Sequence, residues 1–197
     1  MANPQATGNR AAPAPVSDPP APARDLDIAR DPDVARAVAR GRLELHWHTR
    51  PVNGVPGSVV ATGVFDLLHV GHLRFLRAAR QVGERLVVGV EDDQRTSHRK
   101  GLGRPIVPVE ERCELLAALD PVDGVFVISG PPGLAPVPAY SALLWELGPA
   151  TLAFTEGDPA RDGKRVVAAR LGAGVHEVPR VDGRSTTLLV EHFVAAR

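Results

Sequence analysis

An α/β fold, with a Rossmann-like doubly wound parallel sheet in an α/β/α sandwich, follows from three observations on this 197-residue chain. From Ser58 onward, short β-branched runs alternate with stretches of helical period, the order that builds parallel sheets covered on both faces. Hydrophobic residues make up 44% of the chain, enough for a sizeable core, while aromatics at 4% mean that this core is built mostly from Val, Leu and Ala. The length suits one domain plus a tail.

In chain order, residues 1–24 are dominated by Ala, Pro and Gly, with no apolar periodicity that could offset the entropy of ordering, and read as a disordered N-terminal tail. Residues 25–57 form an extension of uncertain structure. Ile28, Val34, Ala35 and Val38 could line a short helix that Pro32 starts or breaks. Leu43, Leu45 and Trp47 alternate with Glu44, His46 and His48, the period of a half-buried strand. Residues 51–57 are turn-rich.

The domain proper spans 58–197. Its expected strands are 59–62, 86–90, 125–128, 151–154 and 175–178, and the helices between them 73–82, 109–119, 140–147 and 164–171. A last helix carries Leu189, Val190, Phe193 and Val194 on one face. Ligands of such sheets bind outside the carboxyl ends of the strands, so chemistry is expected just after each strand.

Zero formal net charge speaks against a nucleic-acid binder, which would carry a basic excess. No apolar run approaches the roughly 20 residues of a membrane span, and a secretory pattern is missing. The lone Cys113 fits a reducing compartment and falls on an apolar helix face, so a cytoplasmic protein with a core cysteine is expected. Only Lys100 and Lys164 among 23 basic residues are lysines, which makes a lysine in a motif informative.

The segment Ala61-Thr-Gly-Val-Phe-Asp-Leu-Leu-His-Val-Gly-His72 lies where the first strand of the domain hands over to its first helix. His69 and His72, three apart, share a helix face near an N-terminus whose N–H groups and dipole favour phosphate, and Gly71 leaves room for a close approach. A lone histidine near a turn is more often a surface or capping residue; the whole string after a strand is much harder to dismiss. A second cluster, Lys100-Gly-Leu-Gly-Arg-Pro105 with Val109-Glu-Glu-Arg112, follows Glu91-Asp92-Asp93 and reads as a glycine-broken loop that could fold cations over a triphosphate. Its plainer reading is a solvated charged loop, with Arg112 paired to Glu110 or Glu111. A third, Arg180-Val-Asp-Gly-Arg-Ser-Thr-Thr187, opens the last helix, which its hydroxyls could cap. His46 and His48 lack the companions of a metal site and read as exposed strand positions.

Taken together, these three strings resemble the cytidylyltransferase-like nucleotidyltransferases, with their H-x-G-H signature, over residues 58–193. The resemblance implies transfer of NMP from an NTP to a small phosphorylated acceptor with release of pyrophosphate, and Mg²⁺ accompanying the triphosphate. It implies catalytic roles for His69, His72 and Lys100. Nucleotide contacts are implied for Gly63, Val64, Phe65, Gly71, Asp93, Arg112, Arg180, Arg184, Ser185, Thr186 and Thr187, and acceptor contacts for Asp66, Thr155 and Asp158. No protein ligand to the metal is assigned, neither nucleic acid nor membrane is expected as a partner, and a homodimer is compatible with the reading.

Lys100 to Pro108 and the Gly-Arg-Ser-Thr-Thr ending look most like heptose 1-phosphate adenylyltransferases, which favours ATP narrowly. Arg180, five residues before Ser185, instead matches the R-T-E-G-I-S-T loop of glycerol-3-phosphate cytidylyltransferases, which would use CTP. The acceptor is then a sugar, polyol or phosphonate. One departure bears on it: the heptose enzymes carry Lys-Gly-Gly-Asp after the strand 151–154, and this chain reads Thr155-Glu-Gly-Asp158. Two readings from other classes are a nucleotide-binding module without turnover and a relative of class I aminoacyl-tRNA synthetases. The second is weakened by the short, neutral chain.

Overall fold

The computed structural model describes residues 41–134 and 136–180 and, singly, Pro32, Thr186 and Val190. The tail 1–24, most of the extension's expected helix and most of the last helix lie outside these residues.

Six strands form one sheet: β1 (Glu44–Thr49), β2 (Val59–Gly63), β3 (Leu86–Glu91), β4 (Gly124–Ser129), β5 (Thr151–Thr155) and β6 (Gly174–Val178), in the order β1-β4-β3-β2-β5-β6. All neighbours pair in parallel except β1, which lies antiparallel to β4 at one edge. The alternating 43–48 pattern therefore forms a strand that belongs to the sheet, and the fold reaches back into the extension. Its even residues are exposed, His46 and His48 among them, as half-burial of an edge strand requires. The central β3 is buried at every position and correspondingly apolar on both faces up to Glu91.

The helices are α1 (Val70–Arg80), α2 (Asp93–Lys100), α3 (Val109–Ala117), α4 (Pro136–Trp145) and α5 (Arg161–Leu171). The two-residue period of the strands sorts the core into two layers. Val59, Ala61, Leu86, Val88 and Val90 pack with Phe75, Leu76, Cys113 and Leu116, which puts α1 and α3 on one face. Val60, Val87, Phe126, Ile128 and Leu152 pack with Leu143, Leu144, Val167 and Ala168, which puts α4 and α5 on the other. The expected doubly wound sandwich is therefore present. Cys113 is fully buried, and desolvation pushes its thiol up to about 11, so it serves as core.

Sequence periodicity missed α2. Its residues Asp93 to Lys100 bury only Thr96, so they lack the apolar stripe by which a helix is recognised. Capping and charge hold it instead: the Asp92 side chain accepts from the Arg95 N–H at 2.7 Å, and His98, Arg99 and Lys100 complement the dipole in the last turn. Among the described residues no helix is long and apolar enough to cross a membrane.

The strand order fixes where ligands can enter. The chain leaves β2 toward β3 and leaves β5 toward β6, on opposite sides, so a crevice opens at the carboxyl ends of the adjacent β2 and β5.

Candidate active site

The turn after β2 is built from contacts a few residues long. His69 caps α1, its Nδ1 accepting the Gly71 N–H at 3.0 Å, while His72 Nδ1 accepts the His69 N–H at 3.4 Å, a reciprocal capping box. With both Nδ1 atoms acting as acceptors, each neutral ring carries its proton on Nε2, a tautomer assigned from the bonding pattern. The rings stack with centroids 3.9 Å apart. Burial, followed by the neighbouring His69, brings the His72 imidazole down to about 4. It is therefore a neutral N–H donor at physiological pH rather than a cation. The Gly71 N–H, one of the donors at this helix N-terminus, is used by the cap.

Phe65 stands behind this pair. It adopts φ 52°, a left-handed conformation uncommon for a bulky residue. Its buried ring lies 5.5 Å from that of His72. Gly63 makes this possible, because a Cβ there would meet the Phe65 ring at 3.0 Å. Gly63 and Phe65 thus shape the turn from within, while Val64 contributes its carbonyl to Arg112.

Asp66 is 2% exposed and organises the loop that follows α2. Its Oδ2 accepts from Arg104 Nε at 2.6 Å, and Oδ1 accepts from the backbone N–H groups of Ile106 and Val107 at 2.7 and 3.0 Å. The expected acceptor contact is thus a residue whose carboxylate already binds protein donors. The loop it holds begins just after Lys100, the last residue of α2. Partial desolvation, then Arg99 and Arg104, lower the Lys100 ammonium, with Asp158 and Asp66 opposing, so these side chains share one electrostatic neighbourhood.

Arg112, expected at a phosphate or paired to Glu110 or Glu111, is wholly buried, and its ion pair is made with Asp93. Its Nε donates to Val107 O at 2.9 Å, Nη1 to Val64 O and to Glu91 O, and Nη2 to Asp93 Oδ1 at 2.5 Å. It staples the ends of β2 and β3 to the start of α2, and Asp93 is drawn into the same staple.

Two features lay unread in the sequence. At the end of β3 the buried Glu91 accepts from Arg95 Nε at 2.6 Å and from the Tyr140 hydroxyl, and Arg95 Nη1 donates to Pro131 O at 2.9 Å, so one carboxylate ties α2 to α4. Burial and then Glu91 raise the Tyr140 phenol well above its usual range. At the end of β5, Lys164 Nζ donates to Asp158 Oδ2 and to Thr62 O, each at 2.9 Å. Burial alone would raise the Asp158 carboxyl, but Lys164, the Ala160 N–H and Arg99 outweigh it and lower it. The rarity of lysine was the one signal for Lys164.

Thr155 closes β5, half-buried, paired with Val178. Arg180 is exposed just beyond β6, and Thr186 is helical and half-buried. Arg184, Ser185 and Thr187 lie outside the described residues. His69, His72, Lys100, Asp66, Thr155 and Asp158 all fall at the carboxyl side of the sheet, after β2, β3 or β5.

Residues 60–131 match the family described as cytidylyltransferase-like. The chain is 41% identical over 140 residues to the bifunctional protein HldE of Geobacter sulfurreducens and 35% identical over 173 residues to that of Halorhodospira halophila. Those alignments take in 70% and 87% of this chain but 27% and 32% of the relatives, so the chain spans about a quarter to a third of their length. Among solved structures, a lipopolysaccharide core biosynthesis protein from Thermoplasma volcanium superposes with a TM-score of 0.48 at 27% identity, covering 64% of this chain and 96% of that one. Pantothenate synthetase from Thermus thermophilus gives 0.47 at 18% identity, covering 75% and 60%.

Proposed function

We propose, for a chain whose residues 60–131 belong to the cytidylyltransferase-like family, that it is a nucleotidyltransferase acting on an NTP and a phosphorylated small molecule. The observation that carries this reading is the stacked His69/His72 pair at the switch-point crevice, each ring held by its Nδ1 in the Nε2–H tautomer.

In the reaction an acceptor phosphate oxygen attacks the α-phosphorus. A new P–O bond forms, the bond to the α,β-bridging oxygen breaks, and that oxygen leaves with pyrophosphate. Positioned donors suffice for such in-line transfer, and no covalent enzyme intermediate is needed. His69 and His72 donate through Nε2–H to oxygens that gain charge, and because His72 starts neutral it adds no desolvated cation beside the phosphates. Lys100 supplies positive charge to the outer phosphates, joined by Arg180, Arg184, Ser185, Thr186 and Thr187 from the closing segment. Gly63, Val64, Phe65 and Gly71 shape the nucleotide side, with Asp93 and Arg112 acting as its frame.

A divalent cation accompanies the triphosphate in this family, and we assign it as Mg²⁺. Among the described residues no group of three or more His, Cys, Asp or Glu could hold a metal, and Asp66 and Asp158 are each bonded to a cation. An ion that enters with the triphosphate would neutralise part of its charge.

ATP is favoured narrowly over CTP, and the acceptor is a sugar, polyol or phosphonate whose anion is not met by a lysine at position 155. The reading carries a cytoplasmic location. The deciding assay is pyrophosphate release with ATP or CTP across a panel of sugar phosphates, polyol phosphates and phosphonates. Release that needs one nucleotide and one acceptor together is expected. Tight nucleotide binding with no release on any acceptor would instead identify a nucleotide-binding module.

A further inference from the structure

We infer that Lys164 determines acceptor specificity by binding the acceptor's anionic group, across the crevice from Lys100. This rests on the nucleotidyltransferase reading above and adds to it a division of labour between the chain's two lysines.

Lys164 lies in the first turn of α5, yet its Nζ reaches the end of β2, 102 residues earlier in the chain, at Thr62 O. Its second bond, to Asp158 just after β5, completes a bridge over the seam between these two strands. That seam is the switch point, where the crevice opens. An ammonium has three donors. Two are taken among the described residues, the Phe154 ring lies 6.0 Å from Nζ, and the side chain retains 21% exposure, which leaves the third N–H to meet a ligand.

Asp158 does not cancel this site. Around the crevice, the four cations Lys164, Lys100, Arg99 and Arg104 share the neighbourhood with two carboxylates, Asp158 and Asp66. Lys100, Arg99 and Arg104 thus stand with Lys164 near Asp158, and the substrates are polyanions. Lys100 arrives from the β3 side, at the end of α2, while Lys164 arrives from the β5 side. An in-line displacement needs the attacking acceptor oxygen and the leaving pyrophosphate on opposite sides of the α-phosphorus. Two lysines entering from opposite sides meet that requirement, with Lys100 on the triphosphate and Lys164 on the acceptor.

The strand end agrees with this: Thr155, half-buried at the end of β5, offers a hydroxyl and no charge, so the cation on this side comes from the helix and not from the strand. An anion held there sits against α5, next to Asp158, which is placed to accept from a hydroxyl beside it. The acceptor class is therefore a phosphate or phosphonate with a neighbouring hydroxyl.

The test uses the full chain with the acceptor and nucleotide that give the fastest pyrophosphate release in the panel described above. For K164M, the acceptor KM should rise ten- to a hundred-fold with the nucleotide KM within about twofold. K164R should recover most of the loss, and T155K in the K164M background part of it. K100M should give the opposite split. Because the chain has only two lysines, amine labelling followed by peptide mass spectrometry gives an independent reading on the unmutated protein. Glycerol 3-phosphate or inorganic phosphate should slow labelling of Lys164 several-fold, and ATP or CTP that of Lys100. A parent chain that is silent on every acceptor would defeat the nucleotidyltransferase reading itself, and this inference with it. An active parent whose K164M variant keeps its acceptor KM, or loses nucleotide and acceptor affinity in parallel with a lower melting temperature, would leave Lys164 a structural bridge. So would acceptor-independent labelling if K164M does not fold.

Discussion

At the carboxyl end of β2, His69 and His72 commit their Nδ1 atoms to backbone N–H groups and keep their ring protons on Nε2. At the carboxyl end of β3, Arg112 commits four of its N–H groups to Val64, Val107, Glu91 and Asp93 and is fully buried. Both regions hold residues suited to phosphate. The first spends its Nδ1 acceptors on the backbone and carries its ring protons on Nε2. The second spends its donors. Whether a basic residue serves as a tool or as a bracket is decided by how many donors the fold consumes.

The sharpest way to break this contrast is Arg112→Met. It strands three carbonyls and Asp93 around an apolar side chain, which should cost about 3–5 kcal/mol. Thermal unfolding followed by circular dichroism should then show a melting temperature lower by roughly 6–20 °C. A variant that melts with the parent but binds nucleotide more weakly would make Arg112 a ligand contact after all.

His72→Ala should do the reverse, lowering turnover about 10²–10³-fold, the scale of one lost preorganised donor. Its melting temperature should move only by the loss of one weak capping bond. Turnover within a few-fold of the parent would remove His72 from the chemistry.

The pH response separates the regions more finely. The folded pKa of His72, about 4, lies below its ordinary value of 6.5, so the fold favours the neutral ring. The resulting stability is complete above pH 6.5 and is lost as pH falls from there toward 4. At pH 5 the deficit should be about 1–2 kcal/mol. Urea unfolding at pH 7.5 and 5 should show it in the parent and not in His72→Asn. For the same reason kcat/KM should show no acid limb from His72 near 6.5; a limb there that vanishes in His72→Asn would mean that the ring is a cation in the working enzyme.

Much of this molecule could be read residue by residue, and the failures have a common cause. The strands after Ser58 announced themselves through Val-rich runs, since a strand buried on both faces has few other compositions open to it. The helix α2 did not, because its residues are polar on every side and caps hold it in place of an apolar face. Glu91, Arg95 and Tyr140 looked unrelated until β3, α2 and α4 came together.

The turn at 61–72 was legible for a physical reason: its capping bonds span two or three residues, so the chemistry and the geometry are written in one short string. The alternation of strand and helix, the two core layers and the histidine pair were determined at that local level. Strand order was not, because parallel strands of similar composition carry the same period wherever they sit in a sheet. Only the placement of β2 between β3 and β5 decided that Arg112 would be enclosed as a staple and that Lys164 would meet Thr62 across 102 residues of chain.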